Sequence, residues 1–259
     1  MNRLLATCLL SACVAGNPPT TDATTDTPVL VNPVGSLGIR GACAHPLAGD
    51  GAVVFPDTAI GIQTSVRTVG VVNTGSVDLE NRTQITWTFE GPDAAAFTIE
   101  STDPSVLGCQ FFQHVTFVPN ESCNLSVKFH PTTLGPKQAV LHAVTRRPTS
   151  LMYGTVDQTF TFRANVVAAP AAVVTDQPDL VVGGFGVALK IENRTAAAVD
   201  LGTFTVGSPF SVDPGSCGSS PLAAGDSCTA TVHIQSAPGC PTSTLSTTTG
   251  AISVPVTGS

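Results

Sequence analysis

Eight cysteines are the residues whose type and spacing most directly suggest chemistry in this chain. Thiols can bind zinc, act as nucleophiles or form disulfides, and their spacing helps to separate these possibilities. No Cys-x-x-Cys pair occurs, and although His45 follows Cys43 closely, no further residue completes a metal site. The spacing therefore predicts no metal site and no cofactor. The cysteines are Cys8, Cys13, Cys43, Cys109, Cys123, Cys217, Cys228 and Cys240.

The start of the chain indicates how two of these cysteines are used. Arg3 precedes a short apolar run, residues 4–12, which is too short to cross a bilayer but suits a secretory signal. The run ends in Leu10-Ser11-Ala12-Cys13, which resembles the lipobox of bacterial lipoproteins. The resemblance implies a signal peptide at residues 1–12 and acylation of Cys13 as the mature N-terminus. An ordinary cleaved signal followed by a chance cysteine is the alternative.

Acylation at Cys13 has consequences for location. Fatty chains anchor a protein to a membrane without a spanning helix. Val14 stands where related lipoproteins carry an aspartate for retention in the inner membrane, so the resemblance favours the outer membrane. We therefore expect a bacterial cell-envelope lipoprotein that faces the periplasm or the surface. Residues 17–33 are rich in Pro, Thr and Asp, a composition typical of a flexible tether.

If Cys8 is removed with the signal and Cys13 carries lipid, six cysteines remain. An even number in an exported chain favours disulfides. Cys109 with Cys123, and Cys217 with Cys228, each bracket a turn-rich segment, so the sequence predicts one disulfide from each pair. Closing loops of this length contributes about 3 kcal/mol in the chain-entropy model. Cys43 and Cys240 either pair with each other or stay free.

The sequence offers little support for catalysis. It contains no Gly-x-Ser-x-Gly elbow, no His-Glu-x-x-His motif and no Walker loop. His233 falls on the polar phase of an alternating segment, and the carboxylates Asp93, Glu100 and Asp103 stand among turn residues. We therefore expect no catalytic residue and no enzymatic activity. A hydrolase whose site is assembled from scattered residues is the weaker alternative.

Charge and composition point to an all-β chain that does not bind nucleic acid. The formal net charge is −7 and only 11% of the residues are charged, whereas nucleic-acid binding requires clustered Lys and Arg. The chain has 24 glycines and 20 prolines, few lysines, and many valines and threonines. This composition disfavours helices and favours short strands joined by turns.

One pattern occurs twice along the chain. Residues 120–131 read NESCNLSVKFHP and residues 225–236 read GDSCTATVHIQS, each with a polar turn, a cysteine and then alternating apolar and polar residues. Such alternation is typical of a strand with one buried face. Further matches pair Asn73 with Asn193, Phe97 with Phe210, and Cys109 with Cys217. The offset between matched residues shrinks steadily along the chain, which indicates a duplication with shorter loops in the second copy.

The first copy resembles a known family. Its motifs are Val71-Val72-Asn73-Thr74-Gly75-Ser76, then Phe97-Thr98-Ile99, Cys109, Ser122-Cys123 and Val127-Lys128-Phe129-His130-Pro131. They are similar to the choice-of-anchor D domain, a relative of the ASPM–SPD–Hydin (ASH) modules and of the major-sperm-protein superfamily. The resemblance covers about residues 50–167 and implies an Ig-like sandwich without catalysis. The second copy departs from the pattern at Ile234-Gln235-Ser236, so we expect it to be shortened.

The sequence thus predicts two tandem Ig-like antiparallel β-sandwiches after a lipoprotein signal and a flexible linker. The predicted boundaries are 1–12 for the signal, 13–45 for the linker, 46–168 for the first sandwich and 173–259 for the second. The predicted function is a non-catalytic, envelope-anchored module, either structural or binding a protein or glycan through loop ends or an exposed strand edge. A periplasmic chaperone-like protein that accepts a strand from a client is the alternative.

Overall fold

The structure is a computed structural model. The part of the chain that it describes consists of β-strands joined by turns. Two short 3₁₀ turns, Ala94–Ala96 and Gly215–Gly218, are the only helical segments in that part. The all-β class predicted from the Val- and Thr-rich composition is confirmed. The described residues are 34–41, 47–80, 85–100, 116–145, 152–184, 186–218, 221–235 and 239–258.

The first sandwich consists of two main sheets around one core, together with a small two-stranded sheet. Its strands are β1 (Leu37–Gly41), β2 (Val53–Val54), β3 (Thr58–Ala59), β4 (Ser65–Asn73), β5 (Leu79–Glu80), β6 (Ile85–Glu90), β7 (Phe97–Glu100), β8 (Thr116–Phe117), β9 (Ser122–Phe129), β10 (Gly135–Thr145) and β11 (Asp157–Val167). One main sheet has the order β1-β4-β9-β7 and the other β2-β11-β10-β6, with β3 also paired to β11. β5 and β8 form the small two-stranded sheet. The short strands β2 and β3 run parallel to β11, and the other pairs are antiparallel.

The second sandwich repeats this plan. Its strands are β12 (Val173–Thr175), β13 (Leu180–Val182), β14 (Val187–Asn193), β15 (Phe204–Thr205), β16 (Phe210–Asp213), β17 (Ser227–Ile234), β18 (Thr242–Thr247) and β19 (Ser253–Gly258). Its sheets have the orders β12-β14-β17-β16 and β13-β19-β18-β15, with β13 parallel to β19. The register is also repeated, since Val71 lies opposite Cys123 and Ile191 lies opposite Cys228. The strands that carry the repeated sequence pattern therefore occupy the same place in each sandwich.

Alternation along the inner strands builds the two cores. In β9, Cys123, Leu125, Val127 and Phe129 are buried, and the residues between them face outward. The first core contains a cluster of phenylalanines whose ring centroids lie between 5.0 and 6.4 Å apart. These rings belong to Phe55, Phe89, Phe97, Phe129 and Phe162. The second core is mainly aliphatic.

A buried asparagine ends the same strand in each sandwich. Asn73 is fully buried, and its amide nitrogen donates to the carbonyls of Val77 (2.9 Å) and Phe117 (2.7 Å). Its side-chain oxygen accepts from the backbone N–H of Gly75 at 3.0 Å. Asn193 makes equivalent bonds in the second sandwich, to the carbonyls of residues 197 and 222 and from the N–H of residue 195. The asparagine shared by the two sequence copies therefore holds a turn, and its side chain links the end of a strand to a neighbouring loop.

The predicted linker is too long at its C-terminal end. Residues 13–45 were expected to be flexible, but Leu37–Gly41 form β1 and pair with β4 along their whole length. Leu37 is buried in the first core, and its backbone N–H donates to the side chain of Gln158 in the other sheet. The two glycines of this strand, Gly38 and Gly41, lower its β-propensity, which is why alternation alone does not identify it.

The two sandwiches contact each other through an ion pair between a buried arginine and a partly exposed aspartate. Arg67 on β4 is only 5% exposed, and its Nη1 lies 2.8 Å from Oδ2 of Asp179 beside β13. Its Nε donates to the carbonyl of Val54 at 3.2 Å, and the guanidinium lies 5.6 Å from the ring centre of Phe55. Burial lowers the pKa of Arg67, while the charge and hydrogen bond of Asp179 oppose this shift. The backbone N–H of Thr64 also donates across the junction, to a carbonyl 3.0 Å away at residue 176.

Candidate functional site

The cysteines in the described part of the chain form disulfides. Cys217 and Cys228 are bonded, with their Cα atoms 5.0 Å apart, which confirms this predicted pair. Both are buried, and the bond ties the turn after β16 to the start of β17. Cys123 and Cys240 are also disulfide-bonded. Their predicted partners, Cys109 and Cys43, and the predicted lipidation site, Cys13, lie outside the described residues.

One histidine has the neighbours of a catalytic or switching group. Nδ1 of His142 on β10 lies 2.8 Å from Oε1 of Glu90, and Nε2 lies 2.8 Å from Oδ1 of Asp157. The three residues share the exposed outer face of the β2-β11-β10-β6 sheet. Because a carboxylate holds each ring nitrogen, neither nitrogen is available to take a proton from a third group. The arrangement therefore suits a surface ion-pair network better than a general base.

The two carboxylates affect the protonation of His142. Hydrogen bonds from the ring to Asp157 and then to Glu90 raise the pKa of His142 above its ordinary value. Since the pKa is raised in the folded state, protonated His142 adds stability below its unfolded pKa of about 6.5. That contribution is lost as the pH rises through the folded pKa.

Titration of His142 by NMR is expected to give a pKa above about 6.5. We expect Asp157→Asn and Glu90→Gln each to lower it, because each removes one charged acceptor. Glu100→Gln is the control, since Glu100 pairs with Lys128 at 2.9 Å on the other sheet. An unchanged His142 pKa in both variants would contradict the conclusion that hydrogen bonds to Asp157 and Glu90 raise it.

The other acidic residues singled out in the sequence are used in surface ion pairs. Oδ1 of Asp93 lies 3.6 Å from Nζ of Lys137, and Glu100 pairs with Lys128. Asp103 lies outside the described residues. Within the described ranges, no group of three or more His, Cys, Asp or Glu side chains is arranged to hold a metal ion.

An open apolar cleft lies on one side of the first sandwich. β6 and β7 are the outermost strands of their two sheets, and a cleft of about 580 Å³ lies between them. We call it the edge cleft. Its lining residues are Trp87, Thr88, Phe89, Ala94, Ala95, Phe97, Thr98 and Ile99.

The edge cleft exposes part of the first core. Trp87, Phe89 and Ile99 pack against the core but remain partly exposed, and the rings of Phe89 and Phe97 stack with their centres 5.6 Å apart. Nε1 of Trp87 is buried and has no hydrogen-bond partner within the described residues. A buried donor without an acceptor costs about 1–3 kcal/mol. Additional protein surface placed over the exposed parts of Trp87, Phe89 and Ile99 would bury more apolar area.

Both borders of the edge cleft carry exposed backbone. Within the described strands, β6 pairs only with β10, and β7 pairs only with β9. Each therefore presents N–H and C=O groups on its outer edge that are able to pair with another strand. Sequence analysis predicted use of an exposed strand edge in general but did not identify this one. The alternation Ile85-Thr86-Trp87-Thr88-Phe89 is the sequence signal that marks β6.

A smaller cavity of about 270 Å³ lies at the junction of the two sandwiches. Gln63, Thr175 and Ser253 contribute its polar side chains, and residues 251–254 form part of its wall. The side-chain amide of Gln63 donates to Oγ1 of Thr175 at 3.4 Å, and its oxygen accepts from the N–H of Ala59 at 2.9 Å. The polar groups of Gln63 and Thr175 already hydrogen-bond to one another or to neighbouring backbone at the junction. The edge cleft is therefore the better candidate site.

Comparisons with known proteins show low similarity. No family model matches the chain, and no curated protein matches it. A protein of unknown function from Porphyromonas gingivalis W83 is 15% identical, over 86% of this chain and 98% of that chain, with a TM-score of 0.31. The ASH/PapD-like domain 7 of human CEP192 is 14% identical, over 64% of this chain and 100% of that chain, with a TM-score of 0.31.

A third solved structure is the E. coli chaperone DraB, which is 14% identical over 87% of this chain and 98% of that chain, with a TM-score of 0.30. At these values none of the three structures indicates a function for this chain. The described ranges contain no apolar helix of membrane-spanning length.

Proposed function

We propose that this chain is a non-catalytic lipoprotein of the bacterial cell envelope whose first sandwich binds an extended segment of another polypeptide at the edge cleft. The observation that supports this proposal is the cleft itself, which has an apolar floor and an edge strand on each border. An added strand forms main-chain hydrogen bonds with an edge, and its alternate side chains then point into the cleft. Burying each large apolar side chain contributes about 1.5–3 kcal/mol.

Binding at this site is tested with a random linear peptide library panned against the purified protein. Recovered peptides are expected to alternate apolar and polar residues, because only one face of an added strand meets Trp87, Phe89 and Ile99. We expect Thr88→Lys or Thr98→Lys to weaken binding of these peptides at least tenfold, since these exposed threonines lie in the middle of β6 and β7.

Ser211→Lys is the matched control, because Ser211 is an exposed residue on β16, an edge strand of the second sandwich. Circular dichroism verifies that the three variants are folded. A library that yields no binder, or binders equally sensitive to all three substitutions, would overturn the proposed site.

The anchoring part of the proposal rests on the lipobox resemblance at residues 10–13 and on the choice-of-anchor D resemblance of the first sandwich. It assigns a diacyl or triacyl modification to Cys13 and an outer-membrane location. Several acyl chains together provide stable anchoring. Residues 17–33 would then hold the sandwiches away from the lipid.

The intact mass of membrane-purified protein is expected to equal that of residues 13–259 with added acyl chains and oxidised cysteines. We expect Cys13→Ser to release the protein from the membrane fraction while the Cys217–Cys228 disulfide still forms. Cys8→Ser is the control, because residue 8 is removed with the predicted signal. A mass that retains residues 1–12, or equal membrane retention of both variants, would contradict the anchor.

The edge cleft also supports a more specific function, a chaperone-like role in which the cleft accepts a strand from an unfolded client. This role requires that the protein suppress aggregation of a reduced, unfolded test protein, and that Thr88→Lys or Thr98→Lys abolish the suppression. Peptide binding without any suppression would leave the simpler binding function.

A further inference from the structure

We infer that the strand accepted at the edge cleft is β6 of a second copy of this chain, so that two copies pair edge to edge through β6. The inference rests on the proposed function and specifies both the accepting edge and the partner. In the resulting dimer, the β2-β11-β10-β6 sheets of the two copies join into one continuous sheet across a two-fold axis.

β6 is the least protected edge in the described part of the chain. Proteins usually block edge pairing with short strands, charged residues, proline or bulges. β6 has six residues and is longer than the other described edge strands. β1 contains Arg40 and two glycines, β7 and β16 have four residues and end in Glu100 and Asp213, and the remaining edges have two or three residues.

The chemistry of β6 is self-complementary. Antiparallel pairing about a two-fold axis at Trp87 places Ile85 opposite Phe89 of the second copy, and Thr86 opposite Thr88 of the second copy. Apolar residues then meet apolar residues on the inner face, and threonines meet threonines on the outer face. Both kinds of cross-strand pair are favourable, by about 0.2–1 kcal/mol each.

The one charged residue of β6 does not oppose this register. Glu90 falls opposite position 84, which is a glutamine in the sequence, so no two like charges meet. Glu90 is also held by His142 on its own copy. A shift by one residue would instead place apolar side chains opposite threonines and turn one apolar face to solvent.

Pairing through β6 also covers the edge cleft. Trp87 and Phe89 of each copy lie on the inner side of β6, where those of the second copy approach across the axis. An interface of one strand edge is small, and small interfaces bind weakly in solution. Attachment of both copies to one membrane raises their effective concentration, so the pairing is expected to be strongest for the anchored protein.

Disulfide trapping in membranes of cells that express the full chain tests this register. The double variant Thr86→Cys/Thr88→Cys places cysteines opposite each other across the two-fold axis, at Cβ distances of about 4.5–5.5 Å. With copper-phenanthroline as oxidant, we expect a dimer on non-reducing gels. The single variant Thr88→Cys is expected to give at least fivefold less dimer, because residue 88 lies opposite residue 86.

Ser211→Cys/Asp213→Cys is the control for random collision, since it places two exposed cysteines on the edge strand β16 of the second sandwich. We expect at least fivefold less dimer from it than from the β6 double variant. Equal dimer yields in the β6 and β16 double variants, equal yields in the double and single β6 variants, or no dimer from folded protein would each overturn the inference.

Sedimentation velocity of the full chain carrying Cys13→Ser provides a second measurement that needs no new cysteine. Concentration-dependent dimers that are lost in Thr88→Lys and kept in Thr98→Lys would support pairing through β6. Monomers at all concentrations, or dimers that persist in Thr88→Lys, would overturn it. If library peptides still bind at the edge cleft in that case, the proposed function stands without the dimer; if they do not, both proposals fail.

Discussion

Replacing Asp179 with alanine is expected to lower the free energy of unfolding of the first sandwich by about 3 kcal/mol. The substitution removes the carboxylate that lies 2.8 Å from the buried Arg67 guanidinium, and removing one partner of a buried ion pair typically costs about 3–5 kcal/mol. The low end applies because Asp179 is partly exposed and because Arg67 keeps its bond to the carbonyl of Val54 and its position over the ring of Phe55.

Urea unfolding followed by tryptophan fluorescence measures this effect. Trp87 is the only tryptophan of the chain and lies in the first sandwich, whereas Asp179 belongs to the second. If Asp179→Ala lowers the free energy of unfolding measured from Trp87 fluorescence, the second sandwich stabilises the first. Arg67→Met/Asp179→Ala is expected to be more stable than Asp179→Ala alone, because it also removes the buried guanidinium that has lost the Asp179 carboxylate.

Glu100→Ala is the matched control for the ion pair. Glu100 also pairs with a cation, Lys128, but both side chains are partly exposed, and such pairs contribute about 0–1 kcal/mol. If Asp179→Ala cost no more than Glu100→Ala, Arg67 would not depend on its partner and the junction would be weaker than the structure indicates.

Asn73→Ala is expected to destabilise the first sandwich by about 3 kcal/mol or more. The buried side chain bonds to one buried carbonyl, one partly buried carbonyl and one backbone N–H, and removing the partner of a buried group costs about 1–3 kcal/mol. Asn73→Asp is expected to be at least as harmful, because the carboxylate cannot donate to those carbonyls. The same unfolding experiment with Trp87 as reporter measures both variants.

Asn193→Ala is the corresponding change in the second sandwich, and circular dichroism is its measure because Trp87 lies elsewhere. Asn124→Ala is the control, since Asn124 is exposed on β9 and exposed substitutions usually change stability by less than about 0.5 kcal/mol. Equal effects of Asn73→Ala and Asn124→Ala would contradict the role assigned to the buried turn.

Local patterns in the sequence predict much of this fold. The alternation after Cys123 correctly identifies the buried face of β9, and the shared asparagine matches an equivalent buried turn in both sandwiches. The spacing of Cys217 and Cys228 correctly predicts their disulfide. Each of these features depends on neighbouring residues or on a repeated pattern. Neighbouring residues and repeated patterns can both be read directly from the sequence.

The features that local patterns miss depend on distant residues. Arg67 and Asp179 are far apart in the sequence, and nothing near either residue marks the other as its partner. β1 is a strand because β4 offers it an edge, in spite of its glycines. The edge cleft likewise exists because β6 and β7 end their two sheets on the same side, which strand alternation cannot reveal.

The parallel pairing of an early strand with the last strand bears on how each sandwich resists mechanical load. β2 and β3 run parallel to β11, and β13 runs parallel to β19, whereas the first strands β1 and β12 pair with β4 and β14. Once β1 or β12 has detached, tension between the two ends of the protein acts along the parallel strands in opposite directions and shears them. In that geometry the bonds joining each pair share the force and do not open one at a time.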